Sequence, residues 1–212
     1  VYEGNPLMDA IAERCAAMPP REEFFRANGF GARSVIALLA GSRRSEVRNN
    51  LPFMAALAEL MPEYDFVLAA VPWLDRELYG ELLAGSRIIC LYDKTYEIVR
   101  YADAAVVTSG TATLETALIG TPEVVCYRTD ALTVWAGRRL LKIPYISLVN
   151  LVMGREVVKE LIQQEMTPER AAEELRAILP GGGQRERMLA DYDALRKRIG
   201  GPGASERVAA RM

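Results

Sequence analysis

Two short stretches of this sequence carry more hydrogen-bonding capacity than local structure requires. The first is Gly41-Ser42-Arg43-Arg44-Ser45-Glu46, where a glycine permits a tight turn, a serine hydroxyl follows and adjacent arginines open a helical pattern. Backbone amides at a helix start, joined by a guanidinium, make a phosphate-binding arrangement. The same residues equally suit a plain turn with solvated arginines, and the loop alone does not separate the two readings. Its spacing is neither that of a P-loop nor that of the GxGxxG fingerprint. The second stretch is Thr108-Ser109-Gly110-Thr111-Ala112-Thr113-Leu114-Glu115. One hydroxyl among Ser109, Thr111 and Thr113 would serve as an N-cap. Four hydroxyls and a glycine exceed that need, which points to an anion at this junction. Glu115 then has two possible roles: a partner for the helix macrodipole, or an acceptor for the two hydroxyls of a ribose whose diphosphate sits at the helix tip.

A third stretch runs from Tyr145 through Asn150 and Gly154 to Glu156, followed by Glu160-Leu-Ile-Gln163-Gln164. Asn150 interrupts an apolar run, and Glu156 and Gln163 are two turns apart if the segment is one helix. A turn or cap role for Asn150 and an exposed position for Gln163 are equally compatible with composition.

Absences narrow the chemistry. The chain has no histidine, which excludes a histidine base, a histidine metal ligand and every Ser-His or Cys-His pair within it. Acid-base work falls to Asp or Glu here, or to groups supplied from elsewhere. Cys15, Cys90 and Cys126 are odd in number and form no CxxC pair, so neither a disulfide framework nor a zinc site is expected, and no cofactor or metal is implied. A reducing, cytoplasmic setting fits. The 26 Lys and Arg against 28 Asp and Glu lack the basic excess of a nucleic-acid binder.

These residues need elements to hold them. Apolar runs at Ser34–Leu39, Asp65–Ala70, Ser86–Leu91, Ala104–Thr108, Glu123–Tyr127 and Tyr145–Leu148 are mostly continuous, as expected of strands covered on both faces. Val47, Leu51, Met54, Ala58 and Met61 recur at helical spacing between the first two, with Pro52 expected in the first turn or at a kink. Further helices are expected over Asp93–Tyr101, Thr111–Ile119, Leu132–Leu141, Arg155–Gln164 and Thr167–Ile178. The alternation predicts an α/β fold, a Rossmann-like parallel sheet with helices on both faces over residues 1–180. After Pro180-Gly-Gly-Gly183, residues 181–212 read as a basic helical tail, with seven Lys or Arg and four Asp or Glu from Gln184 onward. In such a sheet the ligand site lies beyond the C-terminal ends of the strands, where both glycine loops fall. The chain opens at Val1 with a Gly-Asn-Pro turn signal close behind, as a segment of a longer protein would.

The motifs and their order resemble those of the C-terminal half of bacterial lipid-A-disaccharide synthase. The resemblance rests on Gly41-Ser42-Arg43 with Glu46, Thr108 to Glu115 with Ala117-Leu-Ile-Gly-Thr-Pro122, Pro144 to Leu151, and Gly154-Arg-Glu-Val-Val-Lys-Glu-Leu-Ile-Gln163. It implies an inverting glycosyltransferase of the two-domain GT-B type. That family transfers 2,3-diacylglucosamine from UDP to 2,3-diacylglucosamine 1-phosphate in lipid A biosynthesis. It further implies Gly41, Ser42 and Arg43 at the diphosphate, Ser109, Gly110, Thr111, Thr113 and Glu115 around the nucleotide, and Asn150, Glu156 and Gln163 at the cleft. Arg43, Asn150 and Gln163 are the candidates for a part in catalysis, while the general base is expected in an N-terminal half absent from this chain. Partners implied are UDP-2,3-diacylglucosamine, UDP, a lipid acceptor at the membrane surface and the N-terminal domain, with a homodimer also compatible; nucleic acid is not implied. The setting implied is cytoplasmic and peripheral on the inner membrane. Leu132 to Leu148, with Trp135, Leu140, Leu141, Ile143, Tyr145 and Ile146 beside Arg138, Arg139 and Lys142, suits either an interface with anionic headgroups or a packed helix. The alternatives to a transferase are a non-catalytic nucleotide-binding module and a UDP-sugar epimerase of the same architecture.

Overall fold

Five of the six apolar runs become strands: β1 Val35–Leu39, β2 Asp65–Ala70, β3 Ile89–Tyr92, β4 Ala104–Thr108 and β5 Glu123–Tyr127. The computed structural model describes residues 6–128 and 145–200. In β1 and β4 every residue is buried, because helices cover both faces and alternation would put polar groups in the core. The sixth strand, β6, is Lys159–Ile162, inside the segment expected to be a helix, and the expected strand at Tyr145–Leu148 is instead a bend leading into a helix. Local chemistry explains the exchange. The Ser147 hydroxyl accepts the Asn150 amide proton at the start of a six-residue helix, Leu148–Met153, and Gly154 ends it at φ 71°. The run from Val157 to Ile162, Val-Val-Lys-Glu-Leu-Ile, is then β-branched and apolar enough for its second part to pair along β5.

All five strand pairings are parallel, in the order β3-β2-β1-β4-β5-β6. The helices in chain order are α1 Pro6–Ala16, α2 Arg21–Ala27, α3 Arg44–Leu60, α4 Arg76–Leu82, α5 Thr95–Tyr101, α6 Thr111–Ile119, α7 Leu148–Met153, α8 Pro168–Ile178 and α9 Arg185–Ile199. α3 packs with α4 and α8, while α6 packs with α1, α5, α7 and α9, giving a layer on each side of the sheet. Val47, Leu51, Met54, Ala58 and Met61 are fully buried, as their spacing predicts. Pro52 lies in the middle of α3 rather than in its first turn, on an exposed position. Thr167 caps α8 by accepting from the Arg170 amide, with Pro168 at its first position.

The described part of the polar tail, residues 181–200, is not a separate body. Met188, Tyr192, Leu195 and Ile199 of α9 are buried in the same core as the sheet, so the boundary expected at residue 180 divides one packed unit. No helix among the described residues is long and apolar enough to cross a membrane. The expected helix at 132–141 and the basic-aromatic stretch as far as residue 144 fall outside the described residues.

Beneath α9, Glu123 begins β5 fully buried, and neither carboxylate oxygen has a partner. Burial pushes its pKa well above the usual carboxylate range. The neighbouring Tyr192 hydroxyl is buried too, against the Glu123 backbone. A carboxyl with a raised pKa holds its proton more tightly folded than unfolded. Its contribution to stability is therefore fully present below the unfolded value of about 4.3 and is lost as pH rises toward the folded one. Glu123→Gln, which cannot ionise, is expected to melt higher than the parent near neutral pH. The difference should grow between pH 5 and pH 8 in thermal unfolding, and a difference independent of pH would contradict a neutral buried carboxyl.

Candidate functional site

The sheet order reverses between β1 and β4, so the loops after these two neighbouring strands diverge to opposite faces and leave a crevice. The two glycine loops singled out in the sequence are these loops. A side chain that motif reasoning passes over binds them together. Asn50 of α3, 1% exposed, donates through Nδ2 to the Ala40 carbonyl at 3.1 Å and to the Thr108 hydroxyl at 2.9 Å. The ends of β1 and β4 are thereby held at one level. Asn50 falls one residue before Leu51 of the buried stripe, so only its polarity could have marked it.

At the β1 loop, Gly41 has φ +111°, and a Cβ there would lie 2.5 Å from Glu46 Cβ and Oε2. That close approach has a purpose. Glu46 Oε2 accepts the amides of Ser42 at 2.9 Å and Arg43 at 3.2 Å, so a carboxylate already occupies the loop's donors. The Arg43 guanidinium is 80% exposed and only 3.5 Å from Glu46 Oε1, a loose surface pair of small energetic weight.

At the β4 loop, the hydroxyls divide by role. Thr113 is fully buried, and its Oγ1 donates to the Gly110 carbonyl at 2.8 Å. The Ser109 hydroxyl donates to the Ile146 carbonyl at 3.0 Å, and its amide to the Cys126 carbonyl at 3.0 Å. Both shape the loop. Gly110 stands at the N-cap of α6, where no side chain caps the helix, and Thr111 is exposed. The first-turn amides of α6 therefore face the crevice with the positive end of the helix dipole. Glu115 is the fifth residue of α6, beyond the first turn, and accepts from the Tyr96 hydroxyl of α5 at 3.1 Å through Oε1. Burial, followed by the Glu115 charge, pushes the Tyr96 pKa up to about 12. The phenol therefore remains a donor and orients the carboxylate.

The third group of expected residues separates. Asn150 is fully buried: its Oδ1 accepts the amides of Val157 at 2.7 Å and Val158 at 3.0 Å, and its Nδ2 donates to the Val158 carbonyl and to Glu160 Oε1, both at 2.8 Å. It ties α7 to β6 rather than lining the cleft. Glu156 and Gln163 do not share a helix face, because β6 lies between them and puts them at opposite ends of a strand. Glu156 precedes β6, lines a cavity of about 160 Å³ with Glu123, Gln184 and Arg187 at the N-terminal edge of the sheet, and lies 3.7 Å from Lys159. That edge is away from the crevice. Gln163 follows β6 with φ +55°, at the same edge as the glycine loops and two strands from β4.

Glu160, also without a motif to mark it, organises this region. Its buried carboxylate accepts the Ile146 and Ser147 amides, at 3.0 and 2.9 Å, the Ser147 hydroxyl at 2.8 Å and the Asn150 amide group at 2.8 Å. Because Ile146 also receives the Ser109 hydroxyl, Glu160 sets the wall of the β4 loop. Among the described residues no group of three or more His, Cys, Asp or Glu could hold a metal ion. Cys126 is buried, its thiol pushed up to about 12 by burial, which makes it unreactive.

A family model described as lipid-A-disaccharide synthetase matches residues 1–207. The lipid-A-disaccharide synthase of Myxococcus xanthus is 40% identical over 214 residues, covering 98% of this chain and 55% of that protein. That of Syntrophus aciditrophicus is 41% identical over 220 residues, with the same two coverages, 98% and 55%. The chain thus spans about half the length of the curated relatives it matches. Among solved structures, a UDP-GlcNAc 2-epimerase from Neisseria meningitidis, bound to UDP-GlcNAc, has a TM-score of 0.60 at 16% identity, over 98% of this chain and 53% of that one. The glycosyltransferase SnogD from Streptomyces nogalater has 0.54 at 21% identity, over 85% and 44%. At these identities the likeness is one of fold, that of one half of a GT-B protein.

The Glu160 knot predicts a local failure. Glu160→Gln replaces one acceptor oxygen by a donor facing backbone N–H groups. This should cost on the order of 1–3 kcal/mol of stability in chemical denaturation, with faster amide exchange at Ile146 and Ser147 than elsewhere in the sheet. Unchanged exchange there would remove the carboxylate as the organiser of this wall.

Proposed function

The chain belongs to the lipid-A-disaccharide synthetase family, and from the crevice its fold builds we propose that it is the nucleotide-sugar-binding half of an inverting glycosyltransferase. The donor is UDP-2,3-diacylglucosamine, and the complete protein transfers its sugar to 2,3-diacylglucosamine 1-phosphate. The observation that carries this reading is the pairing of the two glycine loops at the point where the sheet order reverses, joined through Asn50.

In this reading the ribose hydroxyls meet Glu115, which Tyr96 orients, and the diphosphate spans the uncapped tip of α6 and the β1 loop. As the bond from sugar to phosphate breaks, charge grows on UDP, and donors fixed at that position stabilise the transition state without reorganising. Arg43 supplies the mobile positive charge, and the α6 amides supply the fixed field. Gln163 reaches the same edge from β6 and contributes a neutral polar group to the cleft. Asn150 acts through the position of α7 and β6. Glu46 is a stand-in anion: its carboxylate holds the Ser42 and Arg43 amides until the diphosphate takes them. The base that activates the acceptor hydroxyl belongs to the other half, and the lipid substrates are met at the cytoplasmic membrane surface.

Calorimetric titration of this chain should show binding of UDP and weaker binding of ADP. Loss of a charge-assisted contact is worth about 1.5–3 kcal/mol, so Arg43→Ala should weaken UDP about 10- to 150-fold. Arg43→Lys should recover only part, since an ammonium lacks the planar fork. Equal affinity for UDP in Arg43→Ala would return this loop to a solvated turn. Glu115→Gln should weaken UDP with little change in melting temperature. A lowered melting temperature at unchanged affinity would assign the carboxylate to helix stability alone. Glu46→Ala should tighten UDP by freeing the two loop amides, and weaker binding would mean that the carboxylate supports the loop rather than competes with the ligand.

A further inference from the structure

Trp73 is 67% exposed, well above Leu60 at 44% and Leu151 at 40%, the other large exposed hydrophobic residues among those described. A single exposed apolar side chain means little by itself, but this one is fixed and lies beside the crevice. Its indole Nε1 donates to the Ser42 carbonyl at 3.0 Å. The loop that carries it follows β2, the strand next to β1, and a solvent-exposed ion pair of Asp75 with Arg44 at 3.3 Å adds little to its placement. At the loop's start, the Val71 amide donates to the Tyr79 hydroxyl at 3.2 Å. The indole is thus tethered by its polar edge while most of its surface stays exposed, and its rotamer freedom is restrained before any ligand arrives.

The order of the strands gives the order of the ligand. The loops after β4, β1 and β2 stand side by side along one edge, at about 4.8 Å per strand spacing. With the nucleotide placed as proposed, the first of these takes the ribose end and the second the diphosphate. The group attached to the far phosphate then reaches the third, about 10 Å from the first. We propose that Trp73 is the platform for the donor's hexosamine, with the C–H face of the sugar ring packing on the indole while Ser42 and Arg43 hold the adjacent phosphate. This makes Trp73 a specificity residue that separates UDP-sugar from UDP and takes no part in bond breaking. The inference rests on the UDP-sugar reading of the crevice.

The test measures two affinities for each of three proteins. UDP and UDP-2,3-diacylglucosamine are titrated into the parent chain, Trp73→Ala and Trp73→Phe. Trp135, the second of two tryptophans, is changed to Phe throughout so that Trp73 fluorescence reports on the parent. The platform predicts that Trp73→Ala leaves UDP affinity within about twofold but weakens the UDP-sugar about tenfold or more, a ratio worth about 1.4 kcal/mol. Trp73→Phe, which keeps an aromatic face and loses the Ser42 tether, should restore part of that preference. In the parent, the UDP-sugar should change Trp73 emission more than UDP does. Equal losses for UDP and UDP-sugar in both variants would show that Trp73 acts only by holding the Ser42 loop, which overturns the platform and leaves the nucleotide site standing. An unchanged UDP-sugar affinity in Trp73→Ala would overturn it directly. Absence of UDP binding by the parent would overturn the nucleotide reading and the platform with it.

Discussion

A parallel strand cannot be followed by a hairpin, so every strand of this sheet must be left by a crossover that returns to the same starting edge. Three strands grow outward from β1 in one direction and three from β4 in the other. Where the directions part, no crossover can fill the space above the sheet, and a crevice results from connectivity alone. The loops at its rim carry backbone donors and acceptors that no strand or helix uses. The protein meets this constraint with buried and half-buried polar side chains: Asn50 levels the two central strands, Glu46 takes the amides of one loop, and Ser109 and Thr113 take carbonyls around the other. The tip of α6 is left without a side-chain cap, at the place where an anion would complete it.

Glu160 and Glu123 show two ways of burying a carboxyl in neighbouring strands. Glu160 sits among four donor groups from one bend and one helix. Its desolvation is offset by hydrogen bonds that simultaneously fix the bend. Glu123 has no partner and is held toward its neutral form by burial. The difference reflects position. Glu160 stands where the chain returns from the crevice, so accuracy there is transmitted through Ile146 to the Ser109 hydroxyl. Glu123 lies at the opposite edge, beside a polar cavity under α9, where it does nothing for the crevice.

Strands β1, β2, β4 and β5 were legible because burial on both faces leaves continuous apolar runs, while β3, at the edge and only partly buried, was legible from its apolar run alone. Legibility failed between Tyr145 and Gln163 for a physical reason. Tyr-Ile-Ser-Leu-Val is as apolar as a strand, and Glu156, Glu160 and Gln163 have helical spacing; periodicity therefore favours the exchange of the two elements. The deciding features are Ser147 as a cap, Gly154 as a stop and the available edge of β5, the last of which is tertiary information. The β4 loop stood out because four hydroxyls exceed what a cap requires, and two of them, on Ser109 and Thr113, shape the loop itself. Glu46 and Asn50 did not, since each acts through a partner brought near by folding. Glu46 in particular reads locally as an ordinary acidic residue in a first helical turn.

Under the proposed function, the placement of Glu115 decides how much of nucleotide recognition this chain can supply alone. A carboxylate that only answered the macrodipole would belong in the first turn, where the field is strongest. Glu115 stands one turn deeper, where that benefit has largely faded, and is instead oriented by a phenol on another helix. Tyr96 stays protonated far above neutral pH, so one carboxylate oxygen always has a donor to hold it. This arrangement is fixed before any ligand arrives, and it uses only α5 and α6 of this chain. By contrast, Arg43 and Trp73 project outward from loops that form one wall of an open crevice. The residues that would recognise a nucleotide are thus half-buried between α5 and α6, while those that would meet the sugar and its phosphate stand at the rim. A second wall could therefore close on the rim without disturbing the nucleotide contacts; in the proposed reading one half would keep UDP in register while the other brought the acceptor.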